Sequence, residues 1–256
     1  MATCDRMVEK VVLITGGGGG IARGVARAFA SEGAKLVLTD IVPDGMEVTK
    51  REVEEEYGTE VLTLIVDGSD EEAVKEALAT AAGHFGKLNA LINSAQTSAS
   101  GLTLLQHSKE DFDKAIYSGL YATFFFMKHG FPYLRETEGS VINFASGAGL
   151  SGNPGQSSYA AAKEGIRGMS RVAANEWGPY NVNVNVVAPL VMTDKLAAWG
   201  EENPEMFEKN IRAIPLGRYG DAERDIGRVC VFLASDDAKY VTGDTIMIQG
   251  GLGMRP

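Results

Sequence analysis

Short apolar runs recur along this chain, and stretches of helical spacing separate them. Residues 11–14 read Val-Val-Leu-Ile, a continuous run of the kind that forms a strand buried on both faces. Similar runs at 35–39, 61–66, 88–92, 140–144, 182–187 and 245–248 predict further strands. Between them, apolar positions three and four apart predict helices at 21–30, 43–57, 70–85, 109–134 and 221–235, and one carrying residues 157–163. Gly58 closes the second of these, and Ser69 or Asp70 caps the third. Residues 147–155 form a glycine-rich loop, and 193–214 a helical insert of mixed polarity. No linker or low-complexity stretch breaks the alternation. It predicts one doubly wound, Rossmann-like α/β domain over residues 1–256, with a parallel sheet of about seven strands. Ligands of such sheets bind beyond the carboxyl ends of the strands, where Gly16, Asp40, Asn93, Ser146 and Pro189 fall.

Composition narrows the choice of partner. A chain of 256 residues with 45% hydrophobic content can bury a sizeable core. Its net charge of −10 is spread along the sequence, which argues against nucleic acid or an anionic membrane as a partner. No apolar run approaches the ~18 residues of a membrane span, and none near the start suits a signal peptide. Cys4 and Cys230 imply no disulfide framework, so a cytoplasmic setting is expected. His84, His107 and His129 lie far apart, and no metal site is expected.

Three local patterns carry candidate chemistry. The first is the glycine run Gly16 to Gly20, set between the first strand and a helix that begins near Ile21. Glycines there let backbone approach a pyrophosphate, and the helix N-terminus offers N–H groups and a positive dipole end. The second is Asp40, closing the second strand about 20 residues past that turn, where a carboxylate suits ribose hydroxyls and repels a 2′-phosphate. It argues for NAD over NADP, and no Arg or Lys stands beside it. The third is Tyr159 and Lys163, four apart and so on one helix face. An ammonium near a phenol favours the phenolate and lowers its pKa, giving a candidate general acid/base. Alone, the same pair describes many solvated helix faces. The run Phe124-Phe125-Phe126 is expected in the core or a subunit interface.

Taken together, these residues resemble the short-chain dehydrogenase/reductase family over essentially the whole chain. Thr15-Gly16-x-x-x-Gly20-Ile21-Ala22 matches its cofactor turn, with Ala22 in place of a final glycine. Ser146 precedes Tyr159 by the family's spacing of thirteen residues, and Tyr159-x-x-x-Lys163 is intact. The resemblance implies Ser146, Tyr159 and Lys163 as catalytic residues. For NAD it implies Gly16, Gly19, Gly20, Ile21, Asp40, Ile41, Asp67, Gly68, Asn93, Ser94, Ala95, Pro189, Val191 and Thr193, together with Tyr159 and Lys163. Asn93-Ser94-Ala95-Gln96 replaces the usual Asn-Asn-Ala-Gly, and Pro189-Leu190 the usual Pro-Gly. Most members carry in the central helix an Asn that supports the lysine through a water. Gly119 stands there, and glycine could keep the helix irregularity and its free carbonyl without the side chain.

Within the family, residues 95–101, 116–124, 140–149 and 187–193 resemble the bacterial 12α-hydroxysteroid dehydrogenases, which act on bile acids. So does the ending Gly250-Gly251-x-Gly253-Met254-Arg255-Pro256. That resemblance implies reversible oxidation of a steroid hydroxyl, with homotetrameric assembly. A largely apolar substrate needs an apolar cleft with a few polar anchors. Leu196, Trp199 and Phe207 of the insert, with Met206, could line one wall, and Gln96, Leu150 and Asn153 the other; each could equally serve only packing. Two other readings stay open: reduction of another ketone, such as a 3-oxoacyl thioester, and a non-catalytic dinucleotide-binding module.

Overall fold

Strand β1 (Val11–Thr15) pairs with β2 (Lys35–Asp40) on one side and β4 (Ala90–Asn93) on the other. In this computed structural model, which describes residues 5–253, all seven strands are parallel. Cys4 and the terminal Met254, Arg255 and Pro256 lie outside the described residues. The order is β3-β2-β1-β4-β5-β6-β7, with β3 at Val61–Ile65, β5 at Ser140–Phe144, β6 at Asn183–Pro189 and β7 at Thr245–Ile248. The chain winds outward from β1 to β3, then crosses back and winds the other way from β4. The crevice at that reversal, between β1 and β4, is where this topology places a ligand.

Successive strand residues face opposite sides, so each side builds its own core. Val12, Ile14, Leu36 and Leu38 pack with Val25 and Phe29 of α1 (Gly20–Ala30) and with Val231 of α10 (Arg228–Ala234). Val11, Leu13 and Val37 pack with Val74 and Leu78 of α3 (Glu71–Phe85), and with Phe126 and Leu134 of α5 (Ala122–Thr137). The helix α2 (Pro43–Tyr57) ends at Gly58, which takes the left-handed conformation, φ 68°. Asp70 caps α3 by accepting from the amides of Glu72 and Ala73.

Three expected helices differ from the continuous helix expected. The stretch 109–134 is α4 (Lys109–Ala115), a π turn (Ile116–Tyr121) and then α5. Gly119 lies buried in that turn, so the irregularity expected there is present. Its carbonyl oxygen, however, accepts from the Ala122 amide. Residues 193–214 divide into α8 (Asp194–Glu202) and α9 (Pro204–Arg212), because Pro204 has no N–H to continue a helix. Residues 222–227 form a second π turn before α10. The phenylalanine run also divides: Phe126 is core, whereas Phe124 is exposed.

Candidate active site

A cleft of about 670 Å³ opens at the carboxyl ends of the strands. The glycine turn forms its floor, and its glycines fall into two groups. A Cβ at Gly16 would come 3.1 Å from the Ala95 Cα, one at Gly17 2.8 Å from the Leu38 Cβ, and one at Gly18 2.9 Å from an Asp40 oxygen. These three allow close chain packing. Among the described residues, a Cβ at Gly19 or Gly20 would meet nothing within 4 Å, both glycines line the cleft, and no side chain caps the first turn of α1. That open, uncapped helix N-terminus suits a diphosphate. Ile21, Ile41, Gly68, Ser94, Ala95, Pro189 and Thr193 line the same cleft. Thr15 pins it together, its hydroxyl oxygen accepting from the amides of Ser94 and Ala95, both at 3.0 Å.

Three acids line this cleft, Asp40, Asp67 and Asp194, and the first two are fixed by hydrogen bonds. Asp40 Oδ2 accepts from the Gly18 amide at 3.1 Å, and Oδ1 from the Val42 amide at 3.1 Å. The carboxylate is thereby fixed at the edge of the glycine turn. Asp67 Oδ1 accepts from the amide and hydroxyl of Ser69, at 2.9 and 2.7 Å. The cations lining the cleft among the described residues are Lys163 and Lys195, neither of them on the β2 loop. The residues therefore fit a dinucleotide: an open helix N-terminus for the diphosphate, and fixed acids for hydroxyl and amine groups.

Tyr159 and Lys163 project from α7 (Ser157–Trp177) into the same cleft. Lys163 is buried, and its Nζ donates to the carbonyl oxygen of Phe144, at the end of β5, over 2.7 Å. Ser146 caps the one-turn helix α6 (Gly147–Ser151), accepting from the Ala148 amide at 3.1 Å. The expected lowering of the Tyr159 pKa is reversed: burial pushes the phenol up, against the opposing effect of Ser146. Burial also pushes the Lys163 ammonium down, to about 7. Both shifts have one cause, since a low-dielectric site disfavours either charge alone and favours the two together.

The other expected residues are placed differently. Asn93 lies in the core, its Nδ2 donating to Asn143 Oδ1 at 2.8 Å. Val191 is buried and bridges to Gly220. Neither lines the cleft, nor do Ser146, which stands one residue past the lining Ala145, or Leu150, Asn153, Leu196, Trp199 and Phe207. Phe207 packs inside the insert, stacked on Tyr219 with ring centres 5.7 Å apart, and a Cβ at Gly200 would meet its ring at 2.7 Å. Gln96 lines the cleft, but its amide group is turned onto Gly119.

Several residues at the site carried no sequence signal of their own. The Phe144 carbonyl is a backbone atom, which residue type cannot reveal. His107, read as an ordinary histidine, reaches the start of α7: its Nε2 is 3.1 Å from Ser158 Oγ and its Nδ1 3.2 Å from Ser157 Oγ. It ties the loop before α4 to the helix that carries Tyr159.

Comparison with known proteins places this geometry. Residues 17–253 match the family described as enoyl-(acyl carrier protein) reductase. The chain is 56% identical to the 12α-hydroxysteroid dehydrogenase of Clostridium sp., over 96% of this chain and 98% of that protein. Levodione reductase of Leifsonia aquatica is 36% identical over 96% of this chain and 95% of that one. The crystal structure of levodione reductase superposes with a TM-score of 0.91, over 96% of this chain and 98% of that chain. NAD+-bound xylitol dehydrogenase, 27% identical, covers 96% of this chain and 100% of its own with a TM-score of 0.89. The chain belongs to the short-chain dehydrogenase/reductase family of oxidoreductases, which bind a nicotinamide dinucleotide.

Proposed function

We propose that the protein is an NAD-dependent 12α-hydroxysteroid dehydrogenase acting on bile acids. The observation that carries the substrate is the 56% identity, across nearly the whole chain, to an enzyme of that name. Asp40 carries the cofactor choice: a fixed carboxylate at the end of β2 accepts ribose hydroxyls and repels a 2′-phosphate.

Bound NAD supplies the hydride acceptor. The residues of this chain handle the proton and the charge. In alcohol oxidation the Tyr159 phenolate accepts the hydroxyl proton, and Lys163 holds the positive charge that makes the phenolate affordable in a buried site. Ser146 donates a hydrogen bond to the substrate oxygen as charge shifts on it. Ketone reduction runs the same proton path backwards.

The family description points to a second substrate class, acyl-carrier thioesters. An acidic chain of net charge −10, with Asp40 at the ribose position, favours the steroid reading. We place the enzyme in the cytoplasm as a homotetramer. Supporting this, Tyr117, Tyr121 and Phe124 expose one aromatic face of the central helix, and no described helix is long and apolar enough to cross a membrane. The test of the cofactor reading is the initial rate of 12α-hydroxysteroid oxidation with NAD and with NADP. Preference for NADP would overturn it.

A further inference from the structure

We propose that Gln96 is a positioning residue for the Tyr159–Lys163 pair, its carboxamide serving at the π turn in place of a side chain at 119. The inference rests on the reading of Tyr159 and Lys163 as the acid–base pair.

Both polar atoms of the Gln96 side chain, Oε1 and Nε2, are buried and have no hydrogen-bond partner among the described residues. Leaving a carboxamide so costs stability, and such groups persist where they serve a bound molecule or an ordered water. The group is seated on Gly119. A Cβ there would stand 2.6 Å from the Gln96 Cδ, 2.7 Å from Oε1 and 3.0 Å from Nε2. An asparagine at 119 would therefore place its own carboxamide in the volume that Gln96 fills. The two positions are alternatives: a side chain grows into this space from the π turn or from the loop after β4, and both cannot.

The space adjoins the catalytic helix. Leu120, next to Gly119, packs on Gly165, where a Cβ would lie 2.9 Å from the leucine Cδ2. Gly165 stands two residues past Lys163 on α7. Gln96 also lines the cleft that holds Tyr159 and Lys163. A carboxamide accepts at oxygen and donates at nitrogen at once. It can therefore accept a hydrogen bond from a water or donate one to it, which suits a water that itself accepts from a buried ammonium. The other titratable groups lining the cleft are Asp40 at the end of β2, Asp67 after β3, and Asp194 and Lys195 at the start of α8.

The experiment uses the purified enzyme and follows deoxycholate oxidation with NAD from about pH 6 to about pH 10. Fluorescence titration reads NADH binding alongside. Gln96→Leu keeps the packing on Gly119 and removes the polar atoms. It is expected to bind NADH within about twofold of the parent, to lose about tenfold or more in kcat, and to shift the midpoint of the pH profile upward. Gln96→Gly is expected to lose as much, and Gln96→Gly with Gly119→Asn to recover most of it, since the carboxamide then returns from the other side. Gly119→Asn alone crowds Gln96 and is expected to be worse than the double variant. A Gln96→Leu enzyme with the parental kcat and pH profile would overturn the proposal, as would a double variant no more active than Gln96→Gly. Turnover retained by Tyr159→Phe would instead remove the pair itself, and the proposal with it.

Discussion

The Lys163 Nζ lies 5.6 Å from the centre of the Tyr159 ring, above its face. This is close enough for each group to set the charge of the other. Both are carried by one helix, four residues apart, so the distance is fixed by α-helical geometry rather than by a loop.

Replacing Tyr159 by Phe removes the proposed proton acceptor and leaves the ring. Turnover should fall by about 100-fold to 10,000-fold, with NADH binding nearly unchanged. Steady-state rates beside a fluorescence titration of NADH check both halves. Turnover within tenfold of the parent would take Tyr159 out of the mechanism.

The pair should titrate as a unit. Its first proton leaves near neutrality, since burial holds Lys163 down to about 7 while pushing Tyr159 up. In the proposed mechanism oxidation needs the singly deprotonated pair, with the proton on Lys163 and the phenolate on Tyr159. Oxidation should therefore rise as pH increases through about 7, and ketone reduction should fall over the same range. In Lys163→Met only the phenol remains, and burial, partly opposed by Ser146, sets its titration. The rise of any residual oxidation should then move to clearly more alkaline pH.

Lys163 also links folding to pH. Its ordinary value of 10.5 falls to about 7 in the fold, so between those values the unfolded chain binds more protons. The stability of the parent therefore rises with pH across that window. Below about 7 the full cost of burying the charge is present; the change from 10.5 corresponds to at most about 5 kcal/mol. Lys163→Met should be more stable than the parent at pH 6 to 7, less the lost bond to Phe144, and that gain should shrink toward pH 10. Urea unfolding at several pH values measures it. A stability difference that does not change with pH would contradict the burial of an ionisable lysine.

Asp40 holds the amides of Gly18 and Val42 as well as facing the cleft. Asp40→Ala should raise the KM for NAD by about tenfold and shift the NAD-to-NADP preference toward NADP. An unchanged cofactor ratio would show that this carboxylate does not read the ribose.

Much of this was legible in the sequence, for physical reasons. Buried parallel strands must be apolar on both faces, so runs such as 11–14 and 140–144 mark them directly. The Tyr159–Lys163 pair and the open glycines Gly19 and Gly20 follow from helix spacing and from the need for backbone room. Positions at strand ends were harder, because one residue's difference turns a side chain from cleft to core. Asn93 turns inward to Asn143, and Val191 packs beside Gly220. The insert was least legible: its apolar residues satisfy one another, as Phe207 does with Gly200 and Tyr219, and spacing alone does not tell a packed face from a ligand wall. The direction of the Tyr159 shift was missed because burial, which no residue type reports, outweighs the opposing effect of Ser146.

The central claim is hydride exchange between NAD and carbon 12 of a bile acid. Its most direct test is the rate of NADH formation with deoxycholate, which carries hydroxyls at carbons 3 and 12, against chenodeoxycholate, which carries them at 3 and 7. Cholate, which carries all three, is the positive control. The account predicts turnover of cholate and deoxycholate and none of chenodeoxycholate. Equal turnover of chenodeoxycholate would move the chemistry to carbon 3, and no turnover of any of the three would contradict the bile-acid assignment.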